Sequence, residues 1–306
     1  MADDVVADLR DRLGPVGLWT AGLDGMPVHD VRAWAAEVEG LGAGGLWYGE
    51  AYGRNALLQA PLALADTSRL VVGTSIANIW GRDAFAARSA QATIGAQFPG
   101  RFVLGLGVSH APLVERLRGH DYRRPLAAMR TYLEALDARD PVAVDAAPSR
   151  PRMIAALGPR MLALAAELAD GALPYLTLPE HTAHARDVLG PDRVLVVETS
   201  AVVSGDRDAW HRRAHQHLEL YTGLPNYRRS WFRQGFAEDD VPRGGSDRLK
   251  AAMVTHGIDA TLERVGEHLD AGADQVAVQV LGDHPLDLRR DDVATLLRAA
   301  GERWSG

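Results

Sequence analysis

Residues 70–107 read LVVGTSIANIWGRDAFAARSAQATIGAQFPGRFVLGLG. The first seven are apolar and rich in β-branched residues, with Val71, Val72, Thr74 and Ile76, and predict a strand. Residues 83–98 predict a helix that begins near Arg82 or Asp83. Residues 101–107 predict a second strand. Strand, helix and strand in that order imply parallel pairing, because a parallel crossover needs a connection of about a dozen residues or more. Both strands are nearly continuous apolar runs, as expected where a sheet is covered on both faces.

The same rhythm extends in both directions. Before this segment, strands are predicted at 16–20 and 44–48, with helices at 28–41 and 56–65. After it come a helix at 122–138, a strand at 153–157 and a helix at 159–168. A short strand at 171–175, a helix at 179–189 and a strand at 194–203 follow. The chain closes with a helix at 261–271, a strand at 275–281 and a helix at 286–304. Eight strands alternating with helices predict an α/β fold, a (β/α)8 TIM barrel formed by residues 1–306 as one domain. A doubly wound open sheet is the competing architecture, and the count of eight without a dividing linker favours the barrel.

One region breaks the rhythm. Residues 204–258 carry no predicted strand, only helical or irregular sequence that includes YTGLPNYRRSWFRQGF and VPRGGSD. An insertion after the seventh strand lies on the side of the barrel's carboxyl-terminal mouth, where barrel active sites are built. It reads as a lid or substrate wall, with surface decoration or a dimer contact as the other reading.

Composition removes several classes of chemistry. The chain has no cysteine, so disulfides, thiolate metal sites and cysteine nucleophiles are excluded. Lys250 is the single lysine and sits in a polar helical segment, which sets aside Schiff-base chemistry. The net charge of −7 argues against a nucleic-acid partner. The acidic, amphipathic start has neither the basic first residues nor the apolar run of a secretory signal, and no stretch approaches the ~20 apolar residues of a membrane span. The expectation is a cytoplasmic protein without membrane association, acting on a small-molecule substrate.

Candidate sites follow from strand ends and turns. Gly105-Leu106-Gly107 ends a strand, but His110 stands where a dinucleotide-binding fingerprint has its third glycine. These glycines read instead as room for a ligand's close approach. Leu157-Gly158-Pro159 opens a helix with proline in the first turn, so the free N–H groups near Gly158, Arg160 and Met161 form either an anion site or a plain turn. His211 and His215 share a helix face at metal-ligand spacing, but position 212 is Arg rather than the Glu of a zincin, so the pair reads as a metal site or a solvated face. Arg228-Arg229-Ser230-Trp231-Phe232-Arg233 mixes cations and aromatics, as a nucleic-acid surface, a lid or an ordinary amphipathic helix would. Polar residues converge at predicted strand ends: Trp19, Thr20, Glu50, Ser75, Asn78, Ser109, His110, Glu198 and Ser200. Among those near the early strands, Glu50 and His110 are the acid/base candidates. Trp80, Tyr227, Trp231 and Phe232 are candidates for the substrate pocket and lid.

The stretches GGLWYGEAYGR, LVVGTSIANIWGRD, GRFVLGLGVSHAP, AALGPRMLALAAELADGALPY and LDAGADQVAVQVLG, in this order, resemble the luciferase-like oxidoreductases. Within them the chain is most similar to the actinobacterial branch that uses the deazaflavin coenzyme F420. The resemblance implies a (β/α)8 barrel with the deazaflavin at the carboxyl-terminal mouth and hydride transfer at C5 of its ring. It implies a cis peptide at Ser75–Ile76 pressing on the ring, and a phosphate contact at Leu157, Gly158 and Pro159, with Arg160 adjacent. It extends the ring's surroundings to Trp19, Thr20, Glu50, Asn78, Gly107 and His110, with Glu50 and His110 as catalytic candidates. Ala51 stands where relatives often place a histidine after the strand-two acid, so sugar-phosphate dehydrogenation is not implied. An FMN-dependent monooxygenase and a non-catalytic flavin- or deazaflavin-binding barrel are the other readings of this barrel. A homodimer through the outer helices is the expected assembly.

Overall fold

The computed structural model describes residues 2–51, 53–138 and 150–304. Its elements run α1 (Ala2–Leu13), β1 (Val16–Trp19), α2 (Val28–Gly40), β2 (Gly45–Tyr48), α3 (Ala56–Leu64), β3 (Val71–Thr74), β4 (Ala77–Asn78), α4 (Ala84–Gln97) and β5 (Phe102–Gly107). The middle of the chain adds α5 (Pro125–Leu136), β6 (Arg152–Ile154), α6 (Pro159–Leu168), β7 (Gly171–Ala172), α7 (Pro179–Leu189) and β8 (Val194–Val202). It ends with α8 (Arg207–Thr222), α9 (Pro225–Arg233), α10 (Asp247–Met253), β9 (Val254–His256), α11 (Ile258–Asp270), β10 (Gln275–Val280) and α12 (Arg290–Trp304).

The sheet closes. The parallel pairs run β1–β2–β3–β5–β6–β7–β8, β4 pairs with β5, β10 pairs with β8, and β1 pairs with β10. β3 and β4 are two parts of one barrel strand: Val72 is in register with Phe102 and Ala77 with Leu106 of the same neighbour, β5. Eight strand positions therefore make the barrel expected from the sequence. The expectation of no strand within 204–258 is corrected. β9 pairs with the upper half of the nine-residue β8, Ser200 opposite Val254, above the short β7 that pairs with its lower half. Three residues between two helices carry no periodicity of their own, and the free upper edge of β8 supplies their partner.

Three buried clusters hold the molecule. The largest packs helix faces on the outside of the barrel, with Leu18, Trp34, Leu46, Val72, Leu104 and Leu296 among its members. A second fills the interior, where Val6, Leu9 and Leu13 of α1 join Trp47, Val71, Val103, Met153 and Val196. Trp47 is accommodated because its neighbour is Gly73: a Cβ there would fall 2.1 Å from the indole. Its Nε1–H donates to Gln275 Oε1 at 2.7 Å, so the buried polar atom is satisfied. Trp19 and Ile76 cap this interior column from the carboxyl-terminal side.

The third cluster joins the insertion to the barrel. Trp210 and Leu218 of α8, Leu224 between the helices, and Tyr227 and Trp231 of α9 pack with Leu176, Val202 and Leu281, which follow or end barrel strands. The insertion thus shares a core with the mouth. Among the described residues, no helix is long and apolar enough to cross a membrane.

Candidate active site at the carboxyl-terminal mouth

The third barrel strand is broken by a cis peptide bond at Ser75–Ile76, as the resemblance implied. The broken segment is tied on both sides. Ser75 N–H donates to Tyr48 O, Glu50 N–H donates to Ile76 O, and Trp19 Nε1–H donates to Ser75 O at 3.0 Å. A Cβ on Gly107 would lie 2.4 Å from Ile76 Cγ1, and one on Gly105 would lie 1.8 Å from Thr74 O. Both glycines therefore make room for the neighbouring strand. This corrects the expectation that they admit a ligand directly: Gly107 acts on the mouth only by letting Ile76 sit where it does. Trp19, Ser75, Ile76, His110 and Tyr175 all keep part of their surface accessible at this end of the barrel.

Glu50 was expected to do acid/base work, and its surroundings point elsewhere. Oε2 accepts from Asn78 N–H at 2.8 Å, and Oε1 is ion-paired with Arg82 and accepts from Ala56 N–H at 3.4 Å. Asn78 in turn accepts Trp80 N–H, and the Trp80 indole donates to Val108 O. Both carboxylate oxygens are committed to holding the turn after β4 in place. Thr20 is similarly local, accepting Gly22 N–H through its hydroxyl.

His110 differs. Its Nδ1 is buried with no hydrogen-bond partner, and burial lowers the imidazole to about 4, so it is neutral at pH 7. It follows Ser109, which adopts φ 56°, and Tyr122 OH fixes that residue by donating to Ser109 O at 2.7 Å. The His110 ring lies 5.9 Å from that of Tyr227 in α9.

At α6, Gly158 and Pro159 form the amino-terminal turn as expected. A Cβ on Gly158 would meet nothing within 4 Å except Arg233 Nη2, at 3.7 Å. Arg233 donates to Leu157 O at 3.0 Å, and its charge is disfavoured first by burial and then by Arg229 close by. Arg160, Arg229 and Arg233 have no carboxylate partner among the described residues. Met161 N–H already donates to Gly158 O, so what the helix terminus offers an anion is its dipole, the Arg160 N–H and the nearby Arg233 guanidinium.

The other expected lid residues separate. Tyr227 faces the mouth aromatics, but Trp231 is fully buried and donates to Leu176 O at 3.1 Å. Phe232 points outward at 38 % exposure beneath Arg228. Trp231 is corrected to a packing residue that fastens α9 to the barrel. His211 is engaged with Asp247 and Lys250, and among the described residues no three His, Asp or Glu side chains gather as a cation site.

The sequence reading missed a polar network behind Tyr175. Ser200 Oγ lies 2.7 Å from Glu198 Oε1 and 3.0 Å from His217 Nε2. Leu176 N–H donates to Glu198 Oε2 at 3.0 Å. Tyr175 OH donates to Gln279 Oε1 and receives Tyr221 OH. The Tyr175 ring stands 5.4 Å from Trp19 and 6.3 Å from His217. Burial raises the Glu198 carboxyl to about 7, against the hydrogen bonds from Ser200 and Leu176, and lowers His217 to about 4. The available signal was the polar stretch Glu198-Thr199-Ser200 inside the otherwise apolar run 194–202. His217 follows His211 by six residues, which at 100° each turns it about 240° away from the face that His211 and His215 share.

The family described as luciferase-like monooxygenase matches residues 13–283. A Mycobacterium tuberculosis protein, named provisionally as a coenzyme F420-dependent oxidoreductase, is 30% identical over 196 residues. The match covers 54% of this chain and 55% of that protein, so the chain spans about half the length of that curated relative. Among solved structures, an F420-dependent secondary alcohol dehydrogenase with a bound F420–acetone adduct superposes at TM-score 0.72 and 12% identity, over 94% of this chain and 97% of that one. The coenzyme F420-dependent tetrahydromethanopterin reductase of Methanopyrus kandleri gives 0.73 at 17%, over 93% and 98%. The FMN-bound oxygenating constituent of a Pseudomonas putida diketocamphane monooxygenase gives 0.66 at 12%, over 93% and 95%. At these identities the superpositions establish a common fold.

Proposed function

Because the chain belongs to the luciferase-like monooxygenase family, we propose that it is a coenzyme F420-dependent oxidoreductase that moves a hydride between the deazaflavin and a small organic substrate. The observation that carries this reading is Arg233 beside Gly158, with Arg229 close to it and Arg160 in the first turn of α6, none of the three with a carboxylate partner among the described residues. FMN ends in a single phosphate, which the helix terminus alone would satisfy. F420 continues beyond its phosphate into a lactyl-oligoglutamate tail, and further arginines suit that added negative charge.

The residues of the mouth fit such a group. An apolar surface made by Trp19 and the Ile76 side chain would support one face of a ring, with the open cradle at Gly158, Pro159 and Arg160 for its phosphate. Bound F420 would supply a two-electron hydride carrier. The protein's part is to orient, enclose and handle the proton. Tyr227 and its helix cover the opening next to His110. His110 stays neutral, so it would meet ring or substrate as an uncharged imidazole rather than as a cation. Glu50 and Arg82 hold the turn that follows the cis bond. A homodimer belongs to the same proposal, supported by Leu58 and Phe85, exposed on the outer helices α3 and α4.

Competitive titration tests the cofactor. F420 is expected to displace FMN and nicotinamide nucleotides. Preferential capture of FMN, unaffected by replacing Arg229 and Arg233, would overturn the assignment in favour of the monooxygenase reading.

A further inference from the structure

Hydride transfer to or from an alcohol carbon requires a proton to leave or reach the oxygen, and the mouth must hold it. His110 is a poor store, because it stands alone and burial disfavours its charge. The network behind Tyr175 differs in having three groups in series. Ser200 Oγ touches both Glu198 Oε1 and His217 Nε2, and it has one proton to give. Its orientation therefore reports the protonation of Glu198. When Glu198 is ionised, Ser200 donates to it and accepts from His217 Nε2–H, leaving Nδ1 as a bare acceptor. When Glu198 is protonated, it donates to Ser200, Ser200 donates to His217 Nε2, and Nδ1 carries the hydrogen.

We propose that Glu198, Ser200 and His217 form a proton relay whose outlet is His217 Nδ1, and that the substrate is an alcohol or its carbonyl counterpart. The proposal rests on the hydride-transfer reading above. In oxidation, bound F420 would supply the acceptor for the hydride that leaves with the substrate's C–H electron pair, and the residues of the relay take the proton. The substrate hydroxyl proton passes to Nδ1, the Nε2 proton to Ser200, and the Ser200 proton to Glu198 Oε1. The C=O bond forms, and the imidazole ends neutral. Reduction runs the same path backwards, with reduced deazaflavin as the hydride donor. His217 is half-buried between Tyr175 and Tyr221, and its Nδ1 has no partner among the described residues. The groups that titrate around Glu198 are Tyr175, Tyr221, Tyr227 and His217, and the first three stay protonated because burial raises their hydroxyls. Burial also favours holding the proton on Glu198 rather than on His217, which is the order the relay needs.

Nitrogen NMR of the histidines in the cofactor-free protein tests the relay without any substrate. The expected result is a neutral His217 that changes from the Nε2–H to the Nδ1–H tautomer as pH falls, with a midpoint near 7. The change disappears in Ser200→Ala and returns in Ser200→Thr, which restores the hydroxyl. A single tautomer from pH 5 to 9, or a change that survives Ser200→Ala, overturns the relay. The F420-loaded enzyme is then offered a panel of small secondary alcohols. Turnover is expected to rise through pH 7, and Ser200→Ala to lose that limb with roughly 100-fold lower kcat and unchanged F420 affinity. Oxidation of none of them overturns the substrate class, while failure to bind F420 removes the cofactor reading and leaves the tautomer result standing.

Discussion

Glu198 carries a pH dependence of known sign. The folded protein keeps its proton up to about pH 7, whereas an unfolded chain releases it near 4.5. Between those values the native state binds more protons, so its stability falls as pH rises, by at most about 3 kcal/mol. His110 and His217 act oppositely: both are held to about 4 by burial, so stability is lost as pH drops from 6.5 toward 4. Urea unfolding at pH 5 and pH 8 separates these effects. Glu198→Gln is expected to gain on the wild type by up to about 3 kcal/mol between the two pH values, and parallel curves would contradict a raised carboxyl. Gly107 gives a second residue-level expectation. Its replacement by Ala sets a Cβ 2.4 Å from Ile76 Cγ1, forcing a shift worth about 1–3 kcal/mol and a weaker grip on any ring resting on Ile76. Thermal unfolding and cofactor titration read the two consequences separately.

The turn after β4 and the pair of helices α8 and α9 are the elements that shape the mouth. The turn depends on the buried pair of Glu50 and Arg82, whose side chains are 7% and 10% exposed. Arg82 Nη1 already lacks a partner. Glu50→Ala would leave the remaining cation uncompensated and strip Asn78 N–H of its acceptor. The expected loss is about 3–5 kcal/mol. A loss of activity at unchanged stability would instead return Glu50 to a chemical role. α8 starts at Asp206, which caps it by accepting Ala209 N–H. Asp206→Ala should cost about 1 kcal/mol and loosen the helix that carries His217 and Tyr221.

Across the whole molecule, charge and exposed apolar surface decide what can be bound. The protein is net negative, yet Arg229 and Arg233 lie close together beside the first turn of α6 with no carboxylate partner among the described residues. Replacing Arg229 and Arg233 with Ala is expected to weaken F420 binding at low salt by more than it weakens FMN binding, and added salt should shrink that gap. Isothermal titration at two ionic strengths measures it; equal losses for both cofactors would argue against a tail contact. Leu58→Glu with Phe85→Glu is expected to convert a dimer to a monomer in light scattering, with secondary structure unchanged.

Local chemistry was enough to read most elements from the chain. Pro159–Leu168 and Pro179–Leu189 match the expected helices residue for residue, because proline at the first turn and apolar spacing are local signals. Strand order followed from the helices between the strands, so the closed barrel was legible as well. The use of individual polar groups was not. Glu50 follows β2 and Glu198 sits in the middle of β8, yet both are lone acids in apolar runs. Arg82, 32 residues away, commits the first to a turn, while Ser200 and a histidine from the insertion give the second a route for a proton. Gly107 and β9 follow the same pattern, one defined by Ile76 of the neighbouring strand and the other by the free edge of β8. Helix and strand preferences depend on near neighbours along the chain. A carboxyl group's proton affinity depends on what surrounds it in space, and closure of the barrel beneath the inserted helices supplied those surroundings.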